Sequence, residues 1–173
     1  MEYGSIEREL RIDATPEVVY DVISSPVHLR EWWPDDADLD PAPGATGTIT
    51  FGDPTTADAT VVPLTVLEAD PPRRFAFRWV YDEGPATETN SLLVTFDLAP
   101  SGDGTLLRFK ETGFRERGWE AAVLEEAYHD HVRGWDTFLP RLVTYVNGLV
   151  ASRPANRPCE RDDPRPSGLG ARP

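Results

Sequence analysis

The sequence has a single cysteine, Cys159, among 173 residues, so an intramolecular disulfide and a cysteine-built zinc site are both excluded. Cys159 sits in a proline- and arginine-rich C-terminal stretch and reads as an incidental exposed thiol. Positive charge is scarce: 17 Lys and Arg stand against 30 Asp and Glu, a formal net charge of −13. The stretch after residue 150 carries five arginines against Glu160, Asp162 and Asp163, which leaves about −15 on the first 150 residues. Such a surface repels phosphate backbones and anionic membranes, and with no basic stripe to release counterions, nucleic-acid binding is not expected. No apolar run reaches transmembrane length, and MEYGSIERELRID enters a strand pattern without a basic-plus-apolar leader. Membrane insertion is therefore not expected, and a cytoplasmic protein is the default. Also absent are a nucleophile elbow, a phosphate-cradling glycine loop and an HExxH pair. Asp35, Asp36, Asp38 and Asp40 resemble a calcium loop only superficially, for they lack the glycine at position six and the glutamate at position twelve. No metal and no cofactor are expected.

What is present is a long amphipathic segment from Trp119 to Leu149. At about 100° per residue, Ala121, Leu124, Tyr128, His131, Phe138, Leu139, Leu142, Val146 and Leu149 all fall within about 60° of Trp135. Glu125, Glu126, Asp130, Arg133 and Arg141 lie opposite, so the spacing predicts a helix with one buried and one wet face. Pro140 leaves the carbonyl of Asp136 without its usual donor and is expected to kink or loosen the helix.

Upstream, Ser5 to Asp13 alternates as a half-buried strand, with Arg8 unusually placed on its apolar side. Thr15-Pro16-Glu17 opens a short helix that stops at Ser25-Pro26, and VHLREWWP reads as a second short helical turn. Asp35 to Gly44 reads as a polar loop. Five strands follow: Thr46 to Phe51, Ala59 to Ala69 with Pro63 at a bulge or edge, Arg73 to Tyr81, Asn90 to Leu98, and Thr105 to Gly113. Alternation puts Phe75, Phe77, Trp79 and Tyr81 on one face, Leu92, Val94, Phe96 and Leu98 on another, and Leu107, Phe109 and Glu111 together. The tight turn Ser101-Gly102-Asp103-Gly104 makes the last two strands a hairpin. The expectation is an α+β domain over residues 1–150: a six-stranded curved antiparallel sheet, two short helices after its first strand, and a long C-terminal helix packed across it. Residues 151–173, with five prolines and little to bury, are expected to be a disordered tail.

Five pieces then carry a resemblance: TPEVVYDVISSP with HLREWWP, VLEADPPRRFAFRW, LAPSGDGTLLRFKETGF and GWDTFLPRL. In this order, over roughly residues 5 to 149, the chain resembles the START-like (SRPBCC) superfamily with its helix-grip fold. Within it, the chain is most similar to the branch named after the C-terminal domain of the activator of heat-shock protein 90 ATPase. The resemblance implies a deep cavity between sheet and helix, which in many relatives holds lipids, sterols, polyketides or other apolar molecules. Some relatives are cyclases or hydrolases. No universal catalytic motif comes with the family, so the implication is a fold and a pocket rather than a reaction.

Trp32, Trp33, Phe51, Trp79, Phe96, Phe109, Tyr128 and Trp135 are expected to converge under the helix, either as plain core or as pocket wall. Arg8 and Glu111 fall on apolar faces of strands that the helix-grip topology sets side by side, so they are expected to form a salt bridge within the cavity unless a register slip turns one outward. His131 shares the inner face with Tyr128 and Trp135; it either meets a ligand as acid, base or donor, or is a core-edge histidine bonded to a neighbour. His129 lies about 120° away from Trp135, too far round to share a metal with His131. His28 is expected at the surface. The leading expectation is a carrier of a small apolar ligand; the alternatives are a cyclase or hydrolase using His131, Glu111 and Arg8 as catalytic residues, and, ranked last, a module contacting a chaperone ATPase. A homodimer remains open.

Overall fold

A short helix can start only where its orphan amides find acceptors, and Thr15 supplies one: its Oγ1 accepts from the Val18 N–H at 3.4 Å, with Pro16 at the first helical position. In the computed structural model, which describes residues 3–53, 55–81 and 84–151, this helix is α1 (Pro16–Ser24). It follows strand β1 (Ser5–Ile12) and leads through Ser25 into α2 (Pro26–Trp32). Strands β2 (Asp36–Asp38), β3 (Thr46–Phe51), β4 (Thr60–Asp70), β5 (Arg74–Trp79), β6 (Leu92–Ser101) and β7 (Gly104–Thr112) come next, and helix α3 (Ala121–Ala151) closes the order.

All seven strands form one antiparallel sheet in the order β1-β7-β6-β5-β4-β3-β2, one strand more than expected. The extra strand is β2, inside the segment read as a polar loop. Three residues are too few to show a period; the pairing with β3 and the burial of Ala37, whose carbonyl accepts from Arg30, make it a strand. Pro63 does sit at an edge. It faces Thr48 of β3, while the β4–β5 pairing ends one residue on, at Leu64 and Trp79. The β6–β7 hairpin closes at Ser101 and Gly104, with Gly102 at φ +59 supplying the positive dihedral a two-residue loop requires.

The two faces of the sheet differ as alternation demands. Ile49, Leu64, Val66, Phe75, Phe77, Leu92, Val94, Phe96, Leu98, Leu107 and Phe109 are buried on the covered face. The wet face carries a ladder of ion pairs, among them Lys110 with Glu7, Arg108 with Glu9, and Arg74 with both Glu68 and Asp97. Exposed pairs of this kind contribute about 0–1 kcal/mol each, so the ladder keeps this face wet more than it stabilises the fold.

Helix α3 does not bury its stripe evenly. Trp135, Leu139, Leu142 and Val146 are buried, whereas Leu124, Tyr128 and His131 are only half-buried and Ala121 is exposed. The C-terminal half is therefore core, and the N-terminal half stands over an opening. The helix runs without interruption through Pro140, which is exposed. The residues after 151, including the expected tail and Cys159, lie outside the described residues.

Pro140→Ala returns a backbone donor to the Asp136 carbonyl. A helix-interior proline costs about 3 kcal/mol relative to alanine, and the restored freedom of the unfolded chain offsets about 1 kcal/mol of that. Thermal unfolding of the variant is expected at a higher midpoint than that of the parent; an unchanged or lower midpoint would mean that the helix has already accommodated the ring.

Candidate functional site

Four elements deliver aromatic rings to one place. Helix α2 ends at Trp32, and Trp33 leaves it at φ −123 and ψ −93. The Trp33 ring packs within 5.1 Å of Trp79 and of Trp135, 5.6 Å of Phe77 and 6.2 Å of Phe51, centroid to centroid. Trp79 is the last residue of β5. Val80 follows it at φ +56, a left-handed conformation that is costly for a β-branched residue, on the order of 1–3 kcal/mol. The Arg117 guanidinium holds this turn by donating to the carbonyls of Val80 and Asn90, and it also lies 4.7 Å over the Trp119 ring.

Under these rings sits Glu111, fully buried on β7 between Ile6 of β1 and Val94 of β6. Its Oε2 accepts from Trp79 Nε1 at 2.7 Å, and its Oε1 accepts from Trp135 Nε1 at 2.9 Å. His131 Nδ1 lies 2.7 Å from the same Oε1. An indole N–H can only donate, so both oxygens are committed as acceptors, and the consistent assignment makes Nδ1 the third donor. A carboxylate without water is tolerable only when donors surround it, and these three side chains supply them.

This corrects the expected Arg8–Glu111 salt bridge. Arg8 is on the inner face of β1, but it stands opposite Phe109, and its Nε bonds Asp136 of α3 at 2.8 Å. The hydrogen bond to Asp136 raises the Arg8 pKa further above its ordinary value. Arg8 reaches outward to the helix flank because the space beside Glu111 is already filled by Trp79, Trp135 and His131.

A pocket of about 530 Å³ opens between α3 and the sheet, lined by Trp33, Phe51, Thr60, Trp79, Asp130, His131, Gly134, Trp135 and Phe138. Five of the eleven ligand-binding candidates read from the sequence thus meet there: Trp33, Phe51, Trp79, His131 and Trp135. Glu111 lies behind them as their anchor. Trp32 is core instead, its Nε1 donating to the Val22 carbonyl at 3.1 Å and its ring edge-on to Phe96. Phe96 and Phe109 pack on each other beneath Trp135, and Tyr128 donates to the Ser5 carbonyl at 2.9 Å. Thr60, Asp130, Gly134 and Phe138 were not foreseen as lining. Phe138 was already on the helix stripe. Gly134 has a signal of its own: a glycine inside a helix costs about 1 kcal/mol, and here a Cβ would meet only Phe138, at 3.9 Å, so its absence opens the wall.

His131 is half-buried, with 18% of its side chain exposed, and its ring is edge-on to Trp79 and Phe114 at 5.4 Å. Its Nε2 makes no hydrogen bond among the described residues. His129 is exposed, 3.9 Å from Glu125. His28 departs from its expected surface position: Nδ1 is 2.7 Å from the Tyr145 hydroxyl and Nε2 is 3.1 Å from Asp21. It bridges three helices, a placement fixed by where α3 crosses α2. Among the described residues no three His, Cys, Asp or Glu side chains gather as metal ligands, and no helix is long and apolar enough to cross a membrane.

One long helix laid over an antiparallel sheet, with two short helices after the first strand and a pocket beneath, defines the START-like (SRPBCC) class. The chain belongs to the family described as Activator of Hsp90 ATPase homolog 1-like protein, whose model matches residues 13–147. No curated protein matches it. Among solved structures, the Mesorhizobium loti protein MLL2253 is 23% identical with a TM-score of 0.66, over 83% of this chain and 97% of that one. DynU16, from the dynemicin biosynthetic locus, is 19% identical with a TM-score of 0.63, over 83% of this chain and 47% of its own. The Aha1 dimer of Colwellia psychrerythraea is 19% identical with a TM-score of 0.60, over 82% and 95%. These likenesses carry the fold.

Substitutions at Glu111 should rank by how many donors they strand. Glu111→Gln keeps one acceptor oxygen and turns its amide toward one N–H, costing about 1–3 kcal/mol; Glu111→Leu leaves all three donors unpaired and costs roughly 3–6 kcal/mol. Urea unfolding checks the order. Equal stability of the leucine variant and the parent would show that the carboxylate is not held as described.

Proposed function

We propose that the protein binds a small hydrophobic molecule in the pocket between α3 and the sheet, and that an aromatic ligand, such as a polyketide, suits it better than a lipid or sterol. The supporting observation is the lining itself. Five of its nine residues are aromatic, and indole and phenyl faces favour flat partners in offset or edge-on stacking. A volume of about 530 Å³ lies within the range of drug-sized ligand sites, and the few polar groups, led by His131, would set orientation. DynU16, from a biosynthetic locus, shares the fold. The chaperone-activating role in the family's description forms no part of this proposal.

The test is a thermal-shift and native mass spectrometry panel of a fatty acid, a sterol and an aromatic polyketide. A ligand at about one hundred times its dissociation constant adds about 2.7 kcal/mol, so the polyketide is expected to raise the midpoint by several degrees and to appear as a 1:1 complex. Gly134→Leu, which fills the open wall, is expected to abolish the shift. Silence across the panel overturns the proposal.

Self-association is a separate matter. The Colwellia relative is a dimer, and we propose the same state for this chain. Equilibrium sedimentation at micromolar concentration is expected to give twice the chain mass, and a monomer removes the proposal.

A further inference from the structure

We infer that the pocket takes a planar molecule bearing an acidic hydroxyl, a phenol or an enol, and that His131 Nε2 accepts its proton. The inference rests on the ligand binding proposed above and adds the ligand's functional group and a reaction step.

The geometry of His131 carries it. The Nδ1 side is committed to Glu111 Oε1 at 2.7 Å, which leaves Nε2 as the ring nitrogen open to hydrogen-bond a ligand, on a side chain that lines the pocket. A neutral imidazole with Nδ1–H presents a lone pair at Nε2, and its complement is a donor. Glu111 does more than fix the tautomer. When Nε2 takes a proton, the positive charge forms one hydrogen bond away from a buried carboxylate already in place, so no group must reorganise to receive it.

The other polar groups facing the pocket do not compete. Asp130 is the one carboxylate of the lining and is paired with Arg133 one turn along the same helix. Thr60 enters from the start of β4, and Arg8 is engaged with Asp136 outside the lining. The strongly acidic chain, at −13, disfavours a ligand arriving as an anion; a neutral hydroxyl compound brings its own proton. In the step, the ligand O–H bond breaks, its electron pair stays on the ligand oxygen, and an Nε2–H bond forms. The resulting imidazolium faces Glu111, and the phenolate or enolate lies against the pocket-facing surfaces of Trp33, Trp79 and Trp135.

The test uses 4-nitrophenol and its methyl ether, with tryptophan quenching to report binding and the visible phenolate band to report proton transfer, at about pH 6.5, where the free phenol is mostly protonated and an ordinary imidazole is about half neutral. The parent protein is expected to bind the phenol about tenfold more tightly than the ether and to develop the phenolate band. In His131→Phe the two affinities are expected to converge within about twofold and the band to vanish. His131→Gln, which keeps a donor toward Glu111, serves as a second variant should the first not fold. Equal affinities in the parent, or a preference that survives both variants, overturn the inference while leaving an aromatic pocket. A preference without the band overturns the proton transfer, and failure of both compounds to quench overturns the binding proposal as well.

Discussion

A carboxylate with no contact to water is stable in a protein only if its surroundings replace the hydration it has lost, and Glu111 shows how much structure that condition demands. Its two oxygens need donors that arrive from different directions. Trp79 comes from the end of β5, and Trp135 and His131 come from α3, one helical turn apart. The position of the long helix over the sheet is thereby specified by polar geometry as well as by apolar contact. Replacing the network with an apolar residue of similar shape strands three donors, whereas the hydrophobic contacts alone would allow the helix to slide.

The same network explains why a pocket exists. The C-terminal half of α3 buries Trp135, Leu139, Leu142 and Val146 and acts as core. Asp130, His131 and Gly134 of its N-terminal half line the pocket, with Gly134 withholding a side chain where the wall opens. Two of the pocket's aromatic walls, Trp79 and Trp135, are also the donors to Glu111. Binding surface and structural anchor are thus built from the same side chains, so a ligand stacking on those rings touches groups already fixed in orientation. The left-handed Val80, clamped by Arg117, ends β5 directly after Trp79.

Much of this was legible from period and spacing. Alternation placed Glu111 with Leu107 and Phe109, and the helical stripe placed His131 and Trp135 toward it. The Ser101–Gly104 turn and the Thr15 cap were readable because their chemistry is local. What could not be read depended on distances between elements. Alternation places Arg8 on the inner face, where it lies, but cannot name its partner, because a strand pattern says nothing of Asp136 on a helix 128 residues away. Strand β2 is too short to show a period. Trp32, Phe96 and Phe109 share the pattern of Trp33 and Trp79, and only the depth of packing sorts core from wall. His28 looked superficial because nothing near it in sequence announces Tyr145.

Glu111 accepts from all three side chains and thereby leaves His131 Nε2 bare. Long-range proton–nitrogen correlation NMR of the His131 imidazole reads this directly, since the two nitrogens resonate apart when only one is protonated. A proton on Nδ1, with the Trp79 and Trp135 indole protons slow to exchange, is expected. A bare Nδ1 with the proton on Nε2 would place the shared proton on Glu111 and contradict the claim.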